Sequence, residues 1–580
     1  MSSYDIAVLA FYFAYMVVVS WVFRRFVHNV SDYFRGGGKA VWWLVGGSAF
    51  MTAFSAWTFT GAASAAYADG WPIAVIYVGN TIGFLLSALY FAPRFRQLRV
   101  VTSVEAVRLR FDRTSEQVFT WLQIPLGTLQ AGVWLNALSV FFSAVFGFDL
   151  TLTILVTGAV VLFMALIGGS WAVLASDFVQ VLILMPVCLA VTVLSLIRVG
   201  GFHGLFAALP AGHLDFGRVF SSDYLGLWCL AMILKQFTVT NNLLEASRYL
   251  AVKDSRHARL AGLFGAALFI VGIVIWFVPP MVARAIFPDL GVQFPQLSHP
   301  GEAAFIAISR EVLPAGMMGL LVSGIFAATM SSMDTGLNKN AGIFVKNFYQ
   351  PHFFPNGPDH RLLAVGKFAT VGLGAIVILV ALEMSRLQGL GLFLLMQRVS
   401  ILVATPVIVP LLLGVIVRRT PPWSAWSTVL VGFCGSLLIC RWMPPTWAAH
   451  VFGQTTPLTP LAAEYWTQAS EFLGNVILGT AWFLGTTAFW SRTSPANRAA
   501  IETFIARVNT PVDFAREEGA AAANDRRQSR TMGWLCLAYG VFVLALAAIP
   551  NPLSGRLAFV GCGGFVIAVG ILLGRLKDEG

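Results

Sequence analysis

About fifteen apolar runs, each long enough to cross a lipid bilayer, divide this chain of 580 residues. A helix needs roughly 20 apolar residues to span the hydrocarbon core. Charged residues make up 11% of the chain, against about 25% in an ordinary soluble domain. We therefore predict an all-α polytopic membrane protein embedded in a lipid bilayer. The runs lie near residues 4–23, 42–65, 71–93, 117–147, 150–168, 170–197, 223–247, 260–283, 314–345, 362–384, 388–417, 421–440, 466–491, 531–549 and 556–574.

The net charge of +11 is compatible with nucleic-acid binding, but its distribution indicates membrane topology instead. If the N-terminus lies outside and each run crosses once, the cytoplasmic segments hold 27 of the 38 Lys and Arg residues. The outside segments then hold 7 and the spans hold 4. The positive-inside rule describes this asymmetry. It predicts no nucleic-acid partner and an integral plasma membrane protein, of a bacterial inner membrane, with its C-terminus in the cytoplasm.

The reactive side chains do not form the pattern of an enzyme or a metalloprotein. The six Cys residues lie in apolar stretches without paired or metal-type spacing, so we predict no disulfide and no metal cofactor. We find no combination of acid, base and nucleophile at one depth, so we predict that the chain is not an enzyme.

Two of the predicted spans contain features that interrupt a helix. The second span has small and hydroxyl residues throughout its middle, and the second half of the seventh contains "KQFTVTNNLLE". A broken helix is tolerated inside a bilayer where protein or a water-filled cavity surrounds the break. Two broken helices five spans apart are expected from two inverted repeats that bind solute and ions at the breaks. The alternative is that the small residues only allow close helix packing.

Four separated motifs resemble the sodium:solute symporter family, in the same order along roughly residues 4–440. The first is "SDYFRGGGKAVWWLVGGSAFMTAFSAWTFTGAASAAYADG", with an Asp-Tyr-Phe element, a Trp-Trp entry and a small-residue helix. The others are "SDFVQVLIL", "TNNLLEASRYLAVKD" and "ATMSSMDTGLN".

The resemblance implies the five-plus-five inverted-repeat fold, with one extra helix before the repeats and four after them. We expect a first span and loop over residues 1–40, the first repeat over 41–200, and the second over 201–419. Two further spans are expected within 420–491. A cytoplasmic linker over 492–530, with a short amphipathic helix at "PANRAAIETFIARV", is expected to precede two last spans and a tail over 531–580.

The motif "ATMSSMDTGLN" places several small and hydroxyl residues on one helical face. Ala328, Ser331, Ser332 and Thr335 follow the spacing i, i+3, i+4 and i+7. Hydroxyls are hard oxygen ligands that suit Na⁺, by analogy with other hard cations. The alternative is that the two serines only bond to the preceding turn of their own helix. The resemblance implies a Na⁺ site formed by the carbonyls of Met51, Phe54 and Ala328 and by the hydroxyls of Ser331 and Ser332.

The resemblance also implies roles for polar residues at the middle of the bundle. Asp177 is implied in ion release toward the cytoplasm, and an intramembrane carboxylate is a functional candidate in its own right. Its alternative role is a cap or an ion pair near the inner interface. Asp334 and Lys339 are expected to serve structure or gating. The residues implied in solute binding are Thr58, Asn80, Asn242 and Gln397.

We therefore expect a Na⁺-coupled symporter that imports a small organic solute, with a sugar or sugar derivative favoured and no cofactor besides the coupling ion. A proline-like amino acid, a carboxylate and proton coupling through Asp177 are the alternatives. Arg398 is able to hold a carboxylate or sugar acid, or else to pair with Glu383, Glu245 or a backbone carbonyl. A sensor or channel on the same fold is a further alternative, and the sequence does not specify the oligomeric state.

Overall fold

The computed structural model describes residues 2–26, 36–220, 223–295, 297–386, 391–451, 458–517 and 522–575. Within these ranges the chain is helical and contains no strand, which confirms the predicted all-α class. The Asp-Tyr-Phe element of the first motif, at residues 32–34, lies outside the described residues.

Twenty-six α-helices follow one another along the described chain, several of them separated by a single turn of 3₁₀- or π-helix. The first eight are α1 Ser3–Phe23, α2 Trp42–Thr52, α3 Ala56–Phe59, α4 Gly61–Asp69, α5 Ala74–Leu86, α6 Ala92–Gln97, α7 Ser103–Arg110 and α8 Arg113–Phe146. The next nine are α9 Leu150–Val199, α10 Gly201–Ala208, α11 Leu225–Thr240, α12 Ala246–Tyr249, α13 Ser255–Ile286, α14 Ala304–Val312, α15 Met317–Ile343, α16 Gln350–Phe353 and α17 Asp359–Arg386. The last nine are α18 Leu392–Val399, α19 Thr405–Ile416, α20 Ser424–Trp442, α21 Pro445–Val451, α22 Pro460–Gly485, α23 Pro495–Asn509, α24 Phe514–Glu517, α25 Ala522–Ala545 and α26 Leu553–Arg575.

Twelve helical stretches of the described residues are long and apolar enough to cross a membrane. Two shorter apolar helices, Leu150–Phe163 and Leu225–Thr240, and the broken segment α2–α4 are not among them. The count of about fifteen spans therefore stays a prediction.

The two apolar runs predicted on either side of residue 169 both lie within α9, but the two ends of this element lie on the same side of the bundle. Arg310 of α14 donates to Ala144 O just before α9 begins. Arg198, in the last turn of α9, pairs with Glu311 of α14 at 3.4 Å. A straight helix of 50 residues would place its ends about 75 Å apart, so α9 is not straight and the two spans in this region stay a prediction.

Both predicted helix breaks are present. Helix α2 ends at Thr52, and the chain resumes as α3 after Ser55, whose hydroxyl accepts from Trp57 N. Helix α11 ends at Thr240, and Asn242 stabilises the break by accepting from Leu244 N at 3.0 Å and donating to Val239 O at 2.8 Å. Side chains thus take over hydrogen bonds that the interrupted helices lose, which a bilayer interior requires.

The alternative of close packing is also realised, but at a different part of the second span. A Cβ on Gly46 would lie 2.8 Å from Ala261 O, and one on Gly47 would lie 3.1 Å from the Phe178 ring. These two glycines therefore let α2 approach α13 and α9 closely. The helix break itself lies one to two turns further along the chain.

Helix α15 lies at the centre of the bundle, packed against α1, α2, α8, α9 and α17. The most apolar window of its span is 100% buried, whereas that of α17 is only 22% buried. The two serines of the motif are thus buried inside the bundle.

Segments that were predicted to share one side of the membrane contact one another. Arg99 pairs with Glu517 at 2.8 Å, Lys253 pairs with Asp525 at 2.6 Å, and Gln528 donates to Lys39 O at 2.9 Å. We call this side, formed by residues 36–41, 94–113, 248–259, 492–517 and 522–530, the basic face. A helix is present at the predicted amphipathic position as α23, and α25 begins at Ala522, within the segment predicted as a cytoplasmic linker.

Glu302 joins the loop between α13 and α14 to the start of α18. Its side chain is 5% exposed, and it accepts a hydrogen bond from Leu392 N at 2.7 Å. Burial raises the pKa of this carboxyl from 4.5 to about 7, although the Leu392 N–H acts in the opposite direction.

Because the folded-state pKa lies above that of the unfolded chain, Glu302 should lower stability as the pH rises from about 4.5 to about 7. The loss should be on the order of 3 kcal/mol, since one pKa unit corresponds to about 1.4 kcal/mol. Glu302→Gln should flatten the melting temperature of the purified protein between pH 5 and 8. The control is Glu311→Gln, an exposed residue on α14, which should keep the wild-type profile. Equal pH dependence in Glu302→Gln and the wild type would contradict the assignment.

Candidate functional site

A cavity of about 280 Å³ lies between the two broken helices and is closed by parts of α5, α8, α15, α18 and α19. All four residues predicted to bind the solute line it: Thr58, Asn80, Asn242 and Gln397. Hydroxyls and amides at the wall of one cavity suit a polar organic molecule, because they both donate and accept hydrogen bonds.

Three of these four residues, Thr58, Asn242 and Gln397, already form hydrogen bonds within the wall. The Thr58 hydroxyl lies 2.6 Å from Tyr77 Oη, so the sequence missed a phenol that extends this polar surface. The amide of Asn242 bonds to the backbone on both sides of the α11 break. The assignment of Asn242 to the solute stays a prediction, and the structure gives this side chain a second task in holding the break.

Charged side chains of the wall divide into a paired group and a separate lysine. Glu245 pairs with Arg248 at 3.1 Å and with Lys339 at 3.2 Å. Lys339 therefore bonds to Glu245 on the second broken helix. Lys235, on α11, donates to Gln397 Oε1 instead.

Arg398, which the sequence suggested as a carboxylate anchor, does not line the cavity. Its side chain is exposed, and its charge acts on Glu464 and Glu471 of α22. The neighbouring Gln397 faces the cavity because it lies on the adjacent side of α18, about 100° around the helix.

The first helix break brings backbone oxygens together around one hydroxyl. Ser332 Oγ lies 3.4 Å from Met51 O, 3.2 Å from Thr52 O, 3.0 Å from Phe54 O and 3.2 Å from Ala328 O. A serine hydroxyl has a single proton, so it is able to satisfy only one of these four carbonyls at a time. An excess of converging oxygens over donors is the arrangement that a hard cation prefers.

The sequence identified three of these four carbonyls and missed that of Thr52. The omission has a physical reason, because the turn after α2 brings successive carbonyls toward the same point, which a linear motif does not reveal. The amides near the break are used elsewhere: Ala56 N donates to Thr329 Oγ1 at 2.8 Å.

Asp177 and Ser331 lie beside this cluster. Asp177 is fully buried, and its Oδ2 accepts from Ser48 Oγ at 2.5 Å. Ser331 adjoins the carboxylate of Asp177. In the described part of the chain, neither Asp177 Oδ1 nor Ser331 Oγ has a hydrogen-bond partner. The Ser331 hydroxyl and the Asp177 carboxylate face each other next to the carbonyl cluster.

A second cavity, of about 70 Å³, extends toward the basic face and is lined by Ser48, Thr102 and Ser103. Thr52 and Thr335 line both this cavity and the larger one. The carbonyl cluster therefore lies next to a polar path that leads to the basic face.

Comparison with known proteins identifies the family. Residues 33–432 match the sodium:solute symporter family. The sodium/myo-inositol cotransporter 2 of Mus musculus is 27% identical over 473 residues, which cover 74% of this chain and 68% of that protein. The sodium/glucose cotransporter of Vibrio parahaemolyticus is 27% identical over 481 residues, which cover 77% of this chain and 86% of that protein.

The fold is also found among solved structures. A Na⁺-coupled sialic acid symporter, in a substrate-bound outward-open state, is similar with a TM-score of 0.64 at 20% identity. The similarity covers 83% of this chain and 98% of that one. Since the family match extends over well more than half of its length, this chain belongs to the sodium:solute symporter family.

Proposed function

We propose that the chain imports a sugar or sugar derivative together with Na⁺ by alternating access. The observation that carries the proposal is the position of the Ser332 hydroxyl among four backbone carbonyls, at a helix break beside a polar cavity. Relatives named as cotransporters of sodium with myo-inositol, glucose or mannose support a sugar-like solute. Amino-acid and carboxylate solutes are the alternatives.

The Na⁺ ligands in this proposal are the carbonyls of Met51, Phe54 and Ala328 and the hydroxyls of Ser331 and Ser332. The distances around Ser332 support this set and add the Thr52 carbonyl as a further candidate. The solute would bind to Thr58, Asn80, Gln397 and Asn242. Sodium favours whichever conformation brings these oxygens together, because a ligand shifts an equilibrium only through its different affinity for the two states.

Asp177 is proposed to assist the release of the ion. Its partner Ser48 lines the smaller cavity, so an ion that leaves the carbonyl cluster toward the basic face would pass this carboxylate. A buried carboxylate with one oxygen left unbonded among the described residues also suits a proton carrier. Proton coupling through Asp177 is therefore the second candidate, and a proton gradient without Na⁺ tests it.

The basic face is proposed to be cytoplasmic, with the N-terminus outside and the C-terminus inside. The inverted repeats would then extend over residues 41–200 and 201–419, each beginning with one broken helix. Positive charge concentrates on this face, as the positive-inside rule requires of a cytoplasmic surface.

Cysteine labelling tests this orientation. In a variant without the six native cysteines, Glu502→Cys on α23 should react with an impermeant maleimide only after the cells are permeabilised. Val292→Cys, which is 81% exposed in the loop after α13, is the matched control and should react in intact cells. Labelling of Glu502→Cys in intact cells would reverse the proposed topology.

The ion site is tested by the Na⁺ concentration that half-maximally stabilises the purified protein against thermal unfolding. Ser332→Ala and Ser331→Ala should each raise it about tenfold or more. The replacement keeps a good helix former but removes an oxygen that contributes about 1.5–3 kcal/mol to binding a charged group.

Thr335→Ala, one helical turn further along α15, is the matched control and should have a smaller effect. K⁺ should not replace Na⁺ in the wild type. An unchanged Na⁺ requirement in a well-folded Ser331→Ala/Ser332→Ala double variant would mean that these hydroxyls only bond within the protein. A response to proton gradients alone would transfer the coupling role to Asp177.

A further inference from the structure

Lys235 is a buried cation in the solute cavity that the proposed mechanism does not use. Its side chain is 3% exposed, and it lies on α11 seven residues before the break at Asn242. The ammonium group donates to Gln397 Oε1, but it carries three N–H donors. In the described chain, no carboxylate forms an ion pair with it.

Burying an ammonium group costs free energy unless an opposite charge compensates it. A buried ammonium loses its hydration, and an amide oxygen is a weaker partner than a carboxylate. Ionisable residues inside membrane spans are therefore usually paired with one another or placed at substrate and ion pathways. Lys235 lines the cavity, so its remaining donors are available to a molecule that enters there.

The charge balance of the whole cavity wall supports the same conclusion. Among the described residues that line it, three are cations, Lys235, Arg248 and Lys339, and one is a carboxylate, Glu245. Glu245 pairs with both Arg248 and Lys339, so nothing in this group offsets the charge of Lys235. A Na⁺ ion bound at the adjacent carbonyl cluster would add further positive charge. An uncharged solute would leave this excess unbalanced, whereas an anionic solute would reduce it.

The remaining wall is suited to the hydroxyl groups of a sugar. The amides of Asn80, Gln123 and Gln130 and the hydroxyls of Thr58 and Tyr77 also line the cavity. Its volume of about 280 Å³ lies just below the range of about 300–1,000 Å³ for small-molecule sites, which suits a single sugar ring rather than an oligosaccharide.

Resting on the proposed symport function, we infer that the solute is an anionic monosaccharide, a sugar acid whose carboxylate binds the ammonium group of Lys235. Gln397 positions the ammonium through its carbonyl oxygen, and its Nε2 donates to Met232 Sδ at 3.3 Å. Glucose, mannose and myo-inositol, the solutes in the names of the relatives above, are uncharged. The assignment of a sugar acid therefore distinguishes this chain from those relatives.

The experiment compares pairs of solutes that differ only in the carboxylate. Full-length purified protein is tested by thermal shift with glucuronate against glucose and with galacturonate against galactose, each in Na⁺ and in K⁺ buffer. In Na⁺, at least one acid should half-saturate the shift at a concentration at least tenfold lower than its neutral partner does. That factor is the size expected of a charge-assisted hydrogen bond.

Variants of Lys235 show whether this residue causes the preference. Lys235→Met keeps most of the aliphatic stem but removes the charge, so it should abolish the preference for the acid. Lys235→Arg should preserve the preference. Lys367→Met, at an exposed position of α17, is the matched control for the loss of one intramembrane lysine. A single cooperative unfolding transition in K⁺ buffer verifies that each variant is folded.

The possible results distinguish the assignment of the carboxylate to Lys235 from the proposed symport function. If each neutral sugar binds as tightly as its acid, or if the preference for the acid persists in folded Lys235→Met, the assignment of the carboxylate to Lys235 is wrong while Na⁺-coupled symport stands. If no folded variant responds to Na⁺ at all, the proposed symport function itself is overturned.

Discussion

Backbone N–H and C=O groups that are buried away from water must form hydrogen bonds within the protein, and the structure at the helix breaks depends on this requirement. At the break after Thr52, the amides are served by side chains, since Ser55 caps Trp57 and Thr329 accepts from Ala56. The carbonyls near the break outnumber their donors, since Met51 O accepts from Phe54 N at 3.1 Å and four carbonyls converge on the single hydroxyl proton of Ser332. The imbalance between satisfied donors and crowded acceptors is what makes this break suited to a cation. The second break differs, because Asn242 provides both a donor and an acceptor to the interrupted backbone.

The position of α15 explains why the first break is placed so accurately. This helix contacts elements on both sides of the bundle and is fully buried over its most apolar window. Thr329 and Ser332 reach the break, while Ser331 is directed toward Asp177. One helix therefore fixes the geometry of the carbonyls and of the neighbouring carboxylate together. A shift of α15 by a fraction of a turn would separate all of these oxygens at once.

Much of this arrangement could be predicted from the sequence, because it depends on local patterns. Ser331, Ser332 and both broken helices follow from residue types at fixed spacings. The Thr52 carbonyl was missed because a carbonyl belongs to every residue and leaves no mark on a motif. Lys235 was visible within an apolar span, but whether a side chain faces the cavity depends on how its helix is rotated in the bundle.

Hydropathy locates the apolar part of a helix but not the point at which the helix begins. The predicted span begins after residue 530, whereas the helix α25 that contains it begins at Ala522. The polar first turns of α25 are held by protein contacts, such as the ion pair between Asp525 and Lys253. A helix that leaves the bilayer and continues along the protein cannot be delimited by an apolar count.

The two candidate sites have opposite electrostatic character, which bears on how they would be coupled. The carbonyl cluster and Asp177 present oxygen atoms, whereas the solute cavity presents an excess of ammonium and guanidinium groups. Thr52 and Ser332 belong to the wall of the solute cavity as well as to the ion cluster. A cation in one site and an anion in the other would attract each other across this shared wall. Each ligand would then strengthen the binding of the other by the same factor, because such coupling is reciprocal. In this architecture, cooperation between ion and solute needs no long-range signal, since the two sites share the residues of a single helix break.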